Sequence, residues 1–203
     1  MDLDLTELGI GDGIWEVVAT TRSRDGVPNA APLGLRCREG DLSILVFEPS
    51  RTLENILDTG RIGVNILQDP LIFVKSVVGD LDNSYYTDFN GFPVINGAEA
   101  WIILEAKLME RGEAYLFTLV PLSARRNFKA AHPVNRGFNA IIEALILATR
   151  YSIMDESERD GILRCIEHME EIVRKCGGDR EHEAMGILKG YLHRIQELED
   201  VLQ

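Results

Sequence analysis

The apolar residues of this chain change their period once, near residue 133, and that change limits the fold more than any other feature. Before it, short runs alternate. In "LGLRCR" (33–38), Leu33, Leu35 and Cys37 share one face and Gly34, Arg36 and Arg38 the other; in "RIGVNI" (61–66), Ile62, Val64 and Ile66 share a face. A period of two is that of half-buried strands. "IWEVVATTR" (14–22) is β-rich and partly alternating, and "LSILVF" (42–47) reads as a buried strand. Asp-Gly in "SRDGVPN" and the "REGD" segment supply turns between them. "AEAWIILEAKLMER" (98–111) and "AYLFTLVPLS" (114–123) resume the pattern around a Gly-Glu turn. Six or so strands with one short helix imply a small closed barrel, expected over residues 1–133.

After residue 133 the period becomes helical, and residues 134–203 are expected to form a three-helix unit, making the chain α+β. Asn135 caps the first helix, "RGFNAIIEALILATRYSIM". In the second, Ile162, Ile166, Met169, Val173 and Cys176 form a seam; in the third, Ala184, Leu188, Tyr191, Ile195, Leu198 and Leu202 do. The links "DES" (155–157) and "GGD" (177–179) are short and make neighbours antiparallel. The first helix is apolar nearly all round, which predicts burial. Yet Arg136, Asn139, Glu143 and Arg150 lie close to one stripe, so they either pair at an interface or face a ligand. Residues 68–98, rich in Gly, Asp, Asn and aromatics around "GDLDNSYYTDFNGFP", read as a long excursion with little regular structure.

A formal net charge of -12 argues against nucleic acid as the main partner, since phosphate backbones select clustered Lys and Arg. No apolar run reaches the ~18 to 20 residues of a membrane span. The acidic start "MDLDLTELGIGDG" lacks the order of a signal peptide, so a cytoplasmic protein is expected. The three cysteines fit no zinc pattern. "HEAMG" (182–186) has Gly186 where a metalloprotease helix needs its second histidine.

Against this acidic background, "SRTLENILDTG" (50–60) stands out. Leu53, Ile56 and Leu57 have helical spacing, Ser50 can cap the start, and Gly60 ends the helix. Arg51 therefore sits at a helix start, where the free N–H groups already carry partial positive charge. A cation there needs an anion. Hydroxyls of Ser50 and Thr52, a guanidinium and backbone donors together suit a phosphate; an ordinary surface helix beginning Ser-x-Thr is the alternative.

"ATTRSRDGVPNAAPLG" (19–34), "SRTLENILDTGRIGVNIL" (50–67) and "PVINGAEAWIILEAKL" (93–108) occur in an order and spacing that resemble the flavin-reductase-like branch of the FMN-binding split barrels. With "NRGFNAIIEALILATR" and the helical tail, the whole chain is similar to archaeal members grouped as domain of unknown function 447. The resemblance implies a six-stranded split β-barrel, an FMN cofactor and a homodimer with the flavin near its interface. It implies that Arg51 and Thr52 hold the phosphate with Ser50 close by, and that Asn55 bonds nearby or fixes the loop. Thr20 and Thr21 would face the ribityl chain or phosphate, and Asn29, Ala30, Ala31 and Pro32 would line the isoalloxazine. Tyr85 and Tyr86 either cover the ring or pack. Relatives of this branch often carry a histidine after the late hairpin turn; here Glu113, Ala114 and Tyr115 stand there, which departs from the nicotinamide-site pattern. Two functions stay open: an oxidoreductase passing electrons between a small-molecule donor and acceptor through FMN, and a non-catalytic FMN carrier or sensor whose helical tail binds a partner.

Overall fold

The computed structural model describes residues 5–127 and 135–202, without the side chains of Glu156 and residues 199–202. The expected boundary at 133/134 and the side chain of Leu202 lie outside the described residues. Contacts divide the chain into two compact units. One holds the chain up to Leu67 and resumes at Asp80; the other holds Gln68–Gly79 and the segment that begins Asn135.

In the first unit, six antiparallel strands close into a barrel in the order β1-β2-β3-β8-β7-β4. They are β1 (Gly13–Arg22), β2 (Pro28–Arg38), β3 (Asp41–Phe47), β4 (Arg61–Ile66), β7 (Ala100–Arg111) and β8 (Ala114–Arg126). Glycine-dependent turns set the hairpins: Gly26 (φ 87) turns β1 into β2, and Glu39 (φ 52) with Gly40 (φ 87) turns β2 into β3. Val17, Ala19, Leu35, Ile44, Val46, Ile62, Val64, Ile102, Leu104, Phe117 and Leu119 fill the interior. Helix α1 (Arg51–Thr59) adds Leu53 and Ile56 to the same core. It begins on the Ser50 cap and stops at Gly60, which takes the left-handed conformation at φ 65.

The barrel is incomplete along one edge. β1 pairs with β2 from Pro28 to Cys37, whereas β3 pairs with β2 only at Arg36, Cys37 and Arg38. The edge of β2 from Pro28 to Leu35 that faces away from β1 therefore has no strand partner among the described residues.

Residues 68–98 are ordered, contrary to the expectation of an irregular excursion. Asp69 caps helix α2 (Pro70–Val78), with Pro70 in its first turn. Strands β5 (Tyr86–Phe89) and β6 (Phe92–Ile95) then form a hairpin through Asn90 (φ 52) and Gly91 (φ 76). The Asn-Gly pair in "FNGF" is itself a hairpin signal, and the surrounding Asp and Ser residues act as caps and turns inside a structured segment. β6 packs on the outer face of β1 and β4. That explains a second correction: "RIGVNI" is not half-exposed, and Gly63 and Asn65 are as buried as Ile62 and Val64. A side chain at Gly63 would put its Cβ 2.4 Å from Thr20 Oγ1 and 3.3 Å from Phe92.

The second unit contains α2 with α3 (Arg136–Arg150), α4 (Glu156–Cys176) and α5 (Asp179–Leu202). Asn135 caps α3 by accepting the N–H groups of Gly137 and Phe138. α4 starts in a capping box of Asp155 and Glu158. Ala140, Ile141, Ala144, Leu145 and Ala148 of α3 are buried, as are Ile162, Ile166, Val173, Ala184, Leu188 and Leu192 of α4 and α5. The seams fray at their ends: Cys176 and Leu198, near the C-terminal ends of α4 and α5, are exposed. α2 joins this unit through Phe73, whose ring meets Phe138 edge-on at 6.0 Å, and through the Asp69–Arg180 and Lys75–Glu183 ion pairs. Its burial against helices accounts for its apolar run. Arg136, Asn139, Glu143 and Arg150 all lie exposed on α3. Among the described residues no helix is long and apolar enough to cross a membrane.

Gly137 provides a local test. Its Cβ would lie 2.7 Å from the Gly177 Cα and 2.8 Å from its nitrogen, both backbone atoms that cannot swing away. Gly137→Ala should therefore lower stability by about 1–3 kcal/mol despite alanine's better helix propensity. Urea denaturation measures it, and a neutral or stabilising result would contradict this packing.

Candidate functional site

Alternation along β1 separates the two threonines. Thr21 points the same way as Val17 and Ala19, toward the interior and α1; Thr20 points outward with Val18, under β6. The two are fully buried, in different surroundings.

Thr21 belongs to a polar cluster at the start of α1. Its hydroxyl oxygen accepts from the Asn55 amide at 3.0 Å and from the Asn29 amide at 3.5 Å. Asn29 also donates to the Thr52 hydroxyl at 3.1 Å. Thr52 and Asn55 are buried on α1, and Asn29 is half-buried where β2 begins. The period of the helix puts residues 52 and 55 on one face, and cross-strand pairing puts Asn29 opposite Thr21. Neither requires a long-range coincidence once α1 enters the barrel.

Ser50 acts as the cap: its hydroxyl donates to the Phe47 carbonyl at 2.9 Å and accepts from the Leu53 N–H at 3.2 Å. Its own carbonyl takes the Glu54 N–H. The N–H groups of Arg51 and Thr52 remain at the open end of the helix. The Thr52 hydroxyl accepts from Asn29 and keeps its proton to donate.

Arg51 projects into solvent with its side chain 62% exposed, and Asp80 is its anion: Nη1 lies 2.8 Å from Oδ1 of that carboxylate. The helix-start cation thus has a counter-charge from within the chain, which sequence inspection did not anticipate because Asp80 is 29 positions away across a strand and a helix. Asp80 holds the guanidinium's pKa above its ordinary value, first by hydrogen bonding and then by charge. Tyr86 flanks the same pair. Burial, and then the Asp80 charge, push its phenol from 10.0 up to about 12, while Arg51 pulls the other way.

A phenol that ionises less readily in the folded chain favours folding only while it stays neutral. Stability is thus expected to be level below pH 10.0 and to fall as pH rises through about 12. Urea midpoints across that range measure the fall, and Tyr86→Phe should flatten it.

Thr20 is not part of the cluster. Its hydroxyl accepts from the Asn65 amide at 3.2 Å and lies 3.5 Å from the Gly63 carbonyl. Asn65 also donates to the Val18 carbonyl at 2.8 Å and accepts the Ile95 N–H at 2.7 Å. Thr20, expected to face the ribityl chain or phosphate, is fully buried with its hydroxyl turned to β4, where it braces Asn65. Trp101, donating to the Ile95 carbonyl at 2.9 Å, and Arg22, donating to the Gly91 carbonyl at 3.1 Å, join Asn65 in fastening the β5–β6 hairpin to the barrel.

Ala30, Ala31 and Pro32 do not share one face either. Ala31 lies opposite Ala19, on the Asn29 side; Ala30 and Pro32 lie opposite Thr20 and Val18. What they share is the unpartnered edge of β2, where backbone groups and small side chains run toward the start of α1. Tyr115 lies at the start of β8, after Glu113 and Ala114 of the late hairpin turn. It donates to Glu48 at 2.6 Å, just before the segment that enters α1, and that carboxylate raises its pKa.

Charged fork, hydroxyl proton and two free N–H groups make a donor set suited to a phosphate monoester. The adjacent open edge of β2 suits a flat polar ring. FMN has both parts, so the residues present fit it.

Residues 15–127 match the N-terminal domain of the family described as protein of unknown function (DUF447), and residues 135–190 match the remaining part of that description. The FMN-bound protein MM1853 of Methanosarcina mazei is 36% identical, with a TM-score of 0.85, over 93% of this chain and 100% of that one. Protein MJ1453 of Methanocaldococcus jannaschii is 26% identical over 185 residues, covering 85% of this chain and 94% of that protein. Barrel and helices thus match in the same order and nearly end to end, and the chain belongs to the DUF447 family.

Proposed function

We propose that this chain is an FMN-binding flavoprotein that passes electrons from a reduced small-molecule donor to an acceptor. The carrying observation is the convergence of Arg51, Thr52, Asn29 and Thr21 at the open start of α1, beside the unpartnered edge of β2. The FMN-bound state of the MM1853 protein supports it. Arg51 neutralises the phosphate, and the Thr52 hydroxyl and N–H donate to it. Asn29 and Asn55 hold Thr52 and Thr21 in place. The edge of β2 from Asn29 to Pro32 offers backbone groups to the polar rim of the ring. Bound there, the flavin supplies the redox chemistry. No protein acid or base is required of the chain.

The assembly we propose is a homodimer with the flavin near the interface. Ile14 and Phe47 of the barrel are 63% and 62% exposed, and Val120 and Leu122 are exposed as well. Covering these side chains with a second copy would remove apolar area from water. Light scattering on the full chain checks the mass.

Identification of the compound that co-purifies, by release and chromatography against FMN, FAD and riboflavin, tests the cofactor. Stopped-flow reduction by NADH, NADPH or a reduced deazaflavin tests the electron transfer. Absence of flavin together with failure to take up added FMN would sink the reading; a bound FMN that no donor reduces would make the protein a carrier.

A further inference from the structure

Asp80 stands where a carboxylate is least expected beside a phosphate subsite. Its Oδ1 lies 2.8 Å from Nη1 of Arg51, and both side chains are more than half exposed, at 62% for Arg51 and 64% for Asp80. An exposed pair of this kind adds little to stability. Asp80 also carries no other ionic partner among the described residues. Glu54 adds a second, weaker negative charge from the first turn of α1, and Tyr86 beside the pair is a neutral phenol. The charge facing an incoming phosphate is therefore far smaller than that of a lone arginine at a helix start.

We infer that Asp80 sets the strength of the phosphate subsite, holding one edge of Arg51 and opposing a second anion. This rests on the subsite proposed above and sets what it retains. A phosphate on the free edge of the guanidinium lies well within one Debye length of the Asp80 carboxylate, so the repulsion is felt at physiological salt. A ligand that brings only a phosphate gains little. A phosphomonoester carrying a large flat ring adds contacts along β2 and is kept. Asp80 thereby weakens every phosphate ligand by a similar factor, so that one without ring contacts falls below the affinity needed for retention.

The near-isosteric Asp80→Asn removes the charge at an exposed position and keeps the shape, so the fold is expected to persist. Flavin fluorescence titrations compare it with the parent chain for FMN and for riboflavin, which has no phosphate. Inorganic phosphate alone is titrated by following the Arg51 side-chain resonance. In low salt, FMN and inorganic phosphate should each bind about three- to ten-fold more tightly to Asp80→Asn, and the gain should shrink in ~1 M salt. Riboflavin affinity should not change, and in an Arg51→Ala background Asp80→Asn should still tighten FMN binding, from a weaker starting affinity, because the repulsion does not pass through Arg51. Unchanged or weaker FMN and phosphate binding in Asp80→Asn would overturn the inference and make Asp80 an orienting partner of Arg51. If flavins bind neither protein but inorganic phosphate binds the variant more tightly, Asp80's role stands and the FMN reading falls. If neither protein binds any of the three, both fall.

Discussion

Arg51→Ala should weaken FMN binding by about 10- to 100-fold, the loss expected when hydrogen bonds to a charged group disappear from a phosphate. The expected size follows from what remains. Thr52 keeps its hydroxyl and N–H, Ser50 keeps the cap, and the partial positive charge of the helix start persists. What is lost is the only full positive charge in the cluster and its planar fork. Arg51→Lys should fall between the two, because an ammonium retains the charge without the paired donors. The fold should be indifferent to the change. The Arg51 side chain is 62% exposed, and its pair with Asp80 is of the kind that contributes roughly 0–1 kcal/mol. Fluorescence titration with FMN and riboflavin, alongside a urea curve, separates the terms: FMN affinity should drop while riboflavin affinity and the urea midpoint hold. An unchanged FMN affinity would remove Arg51 from the phosphate site.

Asn65→Ala should cost the fold about 3–5 kcal/mol, the sum of buried partners each left unsatisfied at roughly 1–3 kcal/mol. Asn65 is fully buried on β4 and serves three groups: the Val18 carbonyl at 2.8 Å, the Thr20 hydroxyl at 3.2 Å and the Ile95 N–H at 2.7 Å. Alanine is too short to reach any of them. The Ile95 rung pairs with Tyr86, so the hairpin should loosen where it flanks Arg51 and Asp80. Urea denaturation gives the global cost, and amide exchange at Ile95 reports the hairpin. A loss below ~1 kcal/mol would mean that the hairpin is held by its apolar contacts alone.

Much of the architecture was legible because it rests on short-range chemistry. Alternation in "LGLRCR" and the glycine turns at Gly26 and Gly40 announce antiparallel strands, and Ser50 and Gly60 bracket α1. The change to helical period after residue 133 separates barrel from helices, with Asn135 as a readable cap. The segment 68–98 was misread because polar residues there serve as caps and turns: Asp69 starts α2, Asp82 bonds the Ser84 N–H, and Asn90-Gly91 closes the hairpin. Composition alone does not distinguish a polar loop from a string of short elements joined by turns.

At the candidate site, the resemblance groups residues that the structure places in two layers. Thr20 and Thr21 are adjacent in the chain and were assigned one role. A strand sends neighbours to opposite faces, so one braces Asn65 on β4 and the other joins Asn29, Thr52 and Asn55. The same alternation divides Ala30 and Pro32 from Ala31.

By itself, then, the amino-acid order determined the element types, most turns and caps, and the cation at the start of α1, all of which depend on residues within a turn or two of one another. Only the tertiary structure decided that Asp80 answers that cation, that Asn65 anchors the β5–β6 hairpin, and that α2 packs with the helices. It also decided that β2 keeps an open edge. The reason is physical: hydrogen-bond partners, ion pairs and strand neighbours are chosen by closure of the barrel and burial of apolar faces. Those are properties of the assembled chain that no local stretch encodes.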